Sequence, residues 1–365
     1  MPQTTAPFIP LFCPRKKCKQ HTSTTGFRWV RYGTYATQGS TACIQRYRCL
    51  HCRRTFSAKA FTNTYYAKRP ELLVPLGHRM VACSGFRQMA REMRCAASTL
   101  MRQAARIGRQ ALLRMTEMLP QGPIEEPLVV DGFESFSYSQ FHPCYVNIAV
   151  GANSHHTYAF TFSALRRKGR MTKHQKRRRA RIEVQNGRPD PKAIELGTAA
   201  LLRISCRVPQ AIVIRSDEHQ AYPRAFRRLK HLDVSHEMTP SVQARTTANP
   251  LFPVNLVDGL LRHNSANHKR ETIAFSKHAQ GLIERVAWLL VWRNCCKPFS
   301  ENHGGGTPAM RAGLAQHPMS IEGLLKWRLF PKRLALPEEW QGYYDRLEHA
   351  PGTKQARLHT LKNAY

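Results

Sequence analysis

The chain has 365 residues, 42% of them hydrophobic, which is enough to build packed cores and excludes a wholly disordered protein. Its 57 Lys and Arg against 23 Asp and Glu give a formal net charge of +34, and such a surplus suits a polyanionic partner. Nucleic acid is the natural one, because each basic contact to a phosphate releases condensed counterions.

No sustained apolar run opens the chain, and the longest one, Gly281 to Trp292, is interrupted by Glu284 and Arg285 and is too short to span a bilayer. A cytoplasmic protein without a membrane partner is expected. In that compartment eleven cysteines point to metal rather than to disulfides. Residues 1–62 carry Cys13-x4-Cys18 and Cys49-x2-Cys52, two knuckles with thirty residues between them. That is chain enough for hairpins to bring four thiolates around one tetrahedral structural Zn²⁺. Cys43, His21 and His51 stand as alternative donors, whereas Cys83, Cys95, Cys144, Cys206, Cys295 and Cys296 lie outside the pairs and read as packing residues.

Residues 70–118 turn helical, with apolar positions three and four apart (Leu72, Leu76, Met80; Leu100, Ala104, Ile107). Ser84 to Met93 and Arg94 to Arg102 read as a helix, a short turn and a second helix capped by Ser98. In a DNA-binding helix-turn-helix, Ser98, Thr99, Arg102 and Arg106 would form the face that meets the groove. The alternative is a plain three-helix packing unit.

A proline-rich linker, Leu119 to Pro127, precedes a domain assigned to residues 125–335. Strands are expected at Leu128–Phe133, Tyr145–Gly151 and Thr157–Phe162. A basic insertion follows at residues 166–181, with ten Lys or Arg in sixteen residues, among them Arg177, Arg178 and Arg179. It is either a solvated face or a segment tracking a nucleic-acid backbone. Then come a helix (Pro191–Ser205), a strand (Ala211–Arg215), a helix (Ala221–Leu229), a short strand (Leu232–Ser235), and helices at Val254–Ser265 and Gly281–Asn294. Residues 336–365 form a polar tail without assigned chemistry.

Three strands, helix, strand, helix, strand, helix is the order of the RNase H-like, retroviral integrase-like fold, a mixed sheet with flanking helices. The expected whole is a multidomain α/β protein: zinc ribbon, helix-turn-helix bundle, RNase H-like domain. Asp131 follows the apolar run Leu128-Val129-Val130, and Asp217 follows Ala211 to Ser216, so each falls near the end of a buried strand. If those strands are neighbours the carboxylates converge, and like charges held close call for a cation. Mg²⁺ with oxygen ligands is the usual answer.

The string Arg46-Tyr47-Arg48-Cys49-Leu50-His51-Cys52-Arg53-Arg54-Thr55-Phe56-Ser57 resembles the N-terminal zinc ribbons of bacterial insertion-sequence transposases. Pro253 to Arg262, followed by Arg270-Glu271-Thr272-Ile273-Ala274-Phe275-Ser276, resembles the third motif of the DDE enzymes of that kind. The resemblance spans roughly residues 13–297. It implies a transposase that binds its terminal inverted repeats and carries out Mg²⁺-dependent cleavage and strand transfer in the bacterial nucleoid, as a homodimer or larger assembly on duplex DNA (transposon ends and target). In the family pattern the third acid stands seven residues before the Arg, and Asn255 occupies that place here. Either Asn255 is a neutral oxygen ligand or Asp258, one turn on, supplies the charge; Arg262 would steady a phosphate. Glu284 is the rival third acid, on a helix whose Trp288, Leu289 and Trp292 suggest packing with Glu284 paired to an Arg. The alternative functions are a non-catalytic DNA-binding regulator or domesticated descendant, and a nuclease acting on RNA-containing duplexes.

Overall fold

A computed structural model describes residues 8–23, 25–37 and 40–358. At the amino-terminal end, β1 (Trp29–Thr37) and β2 (Ser40–Cys49) form an antiparallel hairpin, and β3 (Thr55–Ser57) pairs with β2. The second knuckle closes on itself, with Arg53 N donating to Cys49 O at 2.9 Å and Cys49 N to Arg54 O at 3.0 Å. One face of this small sheet is aromatic: Trp29 and Tyr47 meet edge to face at 5.1 Å, and Tyr47 stacks on Phe56 at 5.8 Å. Phe56 in turn reaches Phe61, which packs on Phe12 and Phe330. The segment after residue 326 therefore braces the module, and Arg333 Nη1 donates to the carbonyls of His21 and Ser23.

Three helices follow, α1 (Leu73–Met80), α2 (Phe86–Glu92) and α3 (Ala97–Glu117). Helix α3 begins one residue before the expected cap: its N-cap is Ala96, in extended backbone, and no side chain caps it. Ser98 lies inside the first turn instead, because Cys95 N bonds back to Ala90 O at 3.0 Å and the chain re-enters the helical conformation at once. From Gln103 to Leu113 almost every α3 side chain is buried, since the helix is packed between neighbours rather than laid on a surface.

The larger sheet contains β4 (Leu128–Phe136), β5 (Pro143–Gly151), β6 (Thr157–Ala164), β7 (Gln210–Ser216) and β8 (Leu232–Met238). Its spatial order is β6-β5-β4-β7-β8, antiparallel through the first three and parallel from β4 to β7 to β8. Strands β5 and β6 are buried along nearly their whole length, which requires cover on both faces. Helices α4 (Lys173–Asn186) and α5 (Ala193–Ser205) lie between β6 and β7, and α6 (Ala221–Phe226) between β7 and β8. Helix α5 rests on β5 and β6, where Gly197 leaves room for Asn147 and Ser163 beneath it. Helix α7 (Phe252–Asn264) packs on β4 and β5, and α8 (Ala279–Cys295) on β6 and α3.

The basic insertion is thus partly helix. Thr172 and Gln175 form a reciprocal capping box at the start of α4, and no α4 residue is buried.

Short helices α9 (Pro308–Arg311), α10 (Ile321–Lys326) and α11 (Glu338–Asp345) complete the chain. Helix α11 is docked on the larger sheet. Trp340, Tyr343 and Tyr344 of α11 are buried; Trp340 Nε1 donates to Phe160 O at 3.0 Å, and the Tyr343 hydroxyl accepts from Phe162 N at 2.7 Å. Three large aromatics in one short helix suffice to anchor it. One hydrophobic core runs from Leu72 to Ala350, so α1–α3 share packing with the larger sheet. Among the described residues no helix is long and apolar enough to cross a membrane.

Candidate active site and metal centre

Cys13, Cys18, Cys49 and Cys52 come together, with all four sulfurs within 4.8 Å of one another. Cys13 Sγ lies 3.8 Å from Cys52 Sγ, and Cys18 Sγ lies 3.9 Å from Cys49 Sγ. These are far longer than a disulfide. They match a tetrahedron of thiolates, where a metal–sulfur bond of about 2.3 Å places neighbouring sulfurs about 3.8 Å apart. The donor set and spacing suit Zn²⁺. Cys43 and His51 are exposed and outside the cluster, and His21 turns its Nδ1 to Cys13 O at 2.8 Å, supporting the ligand loop rather than joining it.

The second constellation is acidic. Asp131 sits within β4 and Asp217 directly follows β7, its parallel neighbour, so hydrogen-bonded strands carry the two carboxylates toward each other. Burial pushes the Asp131 carboxyl up to about 6, and the charge of Asp217 adds to the rise. Three donors oppose it at one oxygen: Gly132 N at 2.7 Å, the Tyr222 hydroxyl at 3.3 Å and the Tyr145 hydroxyl at 3.4 Å from Oδ1. The two hydroxyls also meet each other at 3.2 Å. Asp217 Oδ1 accepts from His219 N at 2.9 Å, which holds the turn after β7.

Asp258 comes from α7. Burial pushes its carboxyl well above the ordinary range, and the Asp131 charge raises it further, against Arg262 and Arg245. Although the residue as a whole is only partly buried, its Oδ1 is enclosed and has no hydrogen-bond partner. Asn255 lies one turn earlier on the same helix, partly exposed. Arg262 spreads its guanidinium over the Phe133 ring at 4.7 Å. Among the described residues only the four cysteines gather their ligand atoms within 4.8 Å; the Asp217 charge acts on Asp131 and the Asp131 charge on Asp258.

Glu284 stands elsewhere, buried in α8, where it pairs with Arg346 at 2.8 Å and accepts from Gln280 at 3.4 Å. Its partner and its packing against Gly108 of α3 give it a structural role.

Of the helical face, Ser98 and Arg102 are exposed and Thr99 is partly so, whereas Arg106 turns inward and donates to Asn63 O at 2.7 Å. Buried neighbours at Gln103, Ala104 and Ile107 leave only the first turn and a half of α3 facing out. On α4, Arg177 and Arg178 are exposed, with Arg178 5.1 Å from the Phe141 ring centre, while Arg179 folds back to Arg167 O at 2.9 Å and toward Glu183. Glu183 also takes a two-pronged contact from Arg166 at 2.7 and 3.0 Å, which docks the helix.

Tyr145 and Tyr222 were not singled out from the sequence. The one signal was Gly132 inside a strand: a Cβ there would overlap the Tyr145 ring, and interior strand glycines mark such close approaches.

No family model and no curated protein matches this chain. Among solved structures, a chain of the "CryoEM structure of simian T-cell lymphotropic virus intasome in complex with PP2A regulatory subunit B56 gamma" aligns at TM-score 0.23 and 13% identity. The alignment covers 56% of this chain and 61% of that one, less than two thirds of its length. A likeness so low carries no argument, and the functional reading rests on the residues themselves.

Proposed function

We propose that this chain is a DNA phosphoryl-transfer enzyme of the insertion-sequence transposase kind. The observation behind the reading is that Asp131 lies on β4, Asp217 directly follows its parallel neighbour β7, and Asp258 lies on α7, which packs on β4. The strand order, three antiparallel then two parallel, with helices between the parallel strands, supports an RNase H-like domain. The mutual charge of the acids and the unpartnered Asp258 Oδ1 suit a divalent cation, so these three would hold Mg²⁺, with Asn255 as a neutral oxygen donor beside them. Bound there, Mg²⁺ would activate an attacking oxygen and stabilise the leaving one.

The chain's own groups do the rest. Tyr145 and Tyr222 fix one oxygen of Asp131, Arg262 offers a positive charge to a phosphate, and the exposed start of α3 (Ser98, Thr99, Arg102) meets a groove. Arg177 and Arg178 follow the backbone, and the four-cysteine module takes Zn²⁺ as a structural ion. Terminal repeats of the element would be the substrate, with a dimer or larger assembly bringing two ends together.

A second reading, a DNA-binding regulator without catalysis, draws on Asn255 and on the loose spacing of the acids. Cleavage of labelled duplex carrying the ends that flank the gene, with Mg²⁺ or Mn²⁺, separates the two. Loss of cleavage in Asp131→Ala, Asp217→Ala and Asp258→Ala but not in Asn255→Ala supports the enzyme with Asp258 as third acid. Tight end binding with no cleavage under either metal supports the regulator.

A further inference from the structure

Helix α8 ends against the turn between β5 and β6. Asn294 clamps the first residue of β6 there: Thr157 N donates to its Oδ1 at 3.0 Å, and its Nδ2 donates to Thr157 O at 2.9 Å. The preceding residue, Arg293, is held inside the protein, with 1% of its surface exposed. Burial lowers its guanidinium only to about 10, so it keeps its charge at neutral pH. Among the described residues it is in no ion pair, and its Nε and Nη1 have no hydrogen-bond partner. An enclosed charge left in that condition is strongly unfavourable.

The acids whose charges act here are committed elsewhere. Glu301 is exposed and pairs with Lys297. Glu126 accepts from the amides of Asn153 and Ser154 and from the hydroxyls of Ser154 and Tyr158. Beside Arg293 stand donors instead. His155 Nδ1, His156 Nδ1 and Thr157 Oγ1 are enclosed in the same turn and have no hydrogen-bond partner either. Burial lowers His155 to about 4 and His156 to about 3, with the Arg293 charge acting in the same direction and Glu126 against it. Both rings are therefore neutral, and each carries one N–H. His155 is held in left-handed backbone, φ 55°, with its ring 4.6 Å from that of Phe299. The Arg311 guanidinium lies 3.9 Å from the centre of the Phe299 ring and adds a second positive charge.

We infer that the β5–β6 turn and the end of α8 form a binding site for a small inorganic anion of the halide class, with Arg293 as its counter-charge and His155, His156 and Thr157 as further donors. A halide accepts hydrogen bonds from any direction and brings the opposite charge. A water molecule would satisfy donors but leave the guanidinium uncompensated. A duplex phosphate does not reach a guanidinium that is 1% exposed, so this site stands apart from nucleic-acid recognition.

The test follows the urea midpoint of the full chain at constant ionic strength, with sodium gluconate, whose anion is too bulky to enter, replaced stepwise by sodium chloride. A ligand that binds only the folded state raises the midpoint by equal steps for each tenfold rise in concentration above its dissociation constant. Wild type should show this rise. Arg293→Met should show none, and in gluconate it should match or exceed wild type because the uncompensated charge is gone. Should that variant fail to fold, Thr157→Val, which removes only an unpartnered hydroxyl, carries the test with a several-fold weaker chloride affinity. Equal wild-type midpoints in chloride and gluconate, or a response of wild-type size in either variant, overturns the site. Stabilisation by sulfate or phosphate but not by chloride overturns its assignment to a halide.

Discussion

Gly132→Ala tests the architecture around Asp131 more sharply than removal of the acid itself. The added methyl would overlap the Cδ1, Cε1 and Cζ atoms of Tyr145. The backbone at Gly132 is strand, paired with Asn147, so the ring and not the conformation is the reason for glycine. Displacing the ring breaks the Tyr145 bonds to Asp131 and Tyr222. Overpacking of this kind costs about 1–3 kcal/mol, and each lost hydrogen bond about 1 kcal/mol, so a total of about 3–5 kcal/mol is expected. Tyr145→Val removes the ring but keeps a strand-forming residue. In that background Gly132→Ala should be neutral or slightly stabilising, because alanine holds a strand better than glycine. Urea unfolding of the four proteins gives the coupling energy, expected at about 3–5 kcal/mol. Additive behaviour within about 0.5 kcal/mol would refute the steric account, and full end cleavage by Gly132→Ala would refute the role of the tyrosine pair.

If the four cysteines hold Zn²⁺, a chelator, or Cys49→Ser, should unfold the amino-terminal module while leaving the core from Leu72 onward, as limited proteolysis would reveal by a stable fragment lacking that module. Glu284→Ala should cost about 3–5 kcal/mol by leaving Arg346 without its buried partner, yet spare end cleavage measured well below the melting temperature. Burial alone would raise the Glu126 carboxyl, but Ser154, the Asn153 amide and Tyr158 hold it below its ordinary value. A depressed folded value means stabilisation present above the unfolded value and lost as pH falls through the folded one, so Glu126→Gln should flatten the acid limb of a stability–pH curve; an unaltered limb counts against that network.

The two knuckles were legible because ligand chemistry fixes both residue type and spacing, and the strands bearing Asp131 and Asp217 because buried strands read as apolar runs. Interactions between distant segments left weaker marks. Nothing near Tyr145 or Tyr222 in the sequence announces that their hydroxyls meet at one carboxylate oxygen seventy-seven residues apart. Arg106 has the helical spacing of a groove-facing residue, yet its side is claimed by Asn63 O, a contact set by how the ribbon docks. The α11 segment reads as polar because it carries Glu338, Glu339 and Asp345 among its buried aromatics.

The same packing bears on how recognition would reach chemistry. Gly108 of α3 lies against the Glu284 backbone, where a Cβ would sit 2.7 Å from Cα and 2.8 Å from the carbonyl oxygen. Two helices that close cannot slide past each other without losing their interlocked side chains. Helix α8 also packs on β6 and α7, and α7 carries Asp258. The exposed start of α3 and Asp258 are therefore parts of one continuously packed body rather than of separately tumbling domains. A duplex seated on Ser98 and Arg102 would present its phosphates to the acids at a fixed distance. Choice of the scissile bond would then follow from rigid spacing instead of from base contacts at the carboxylates themselves.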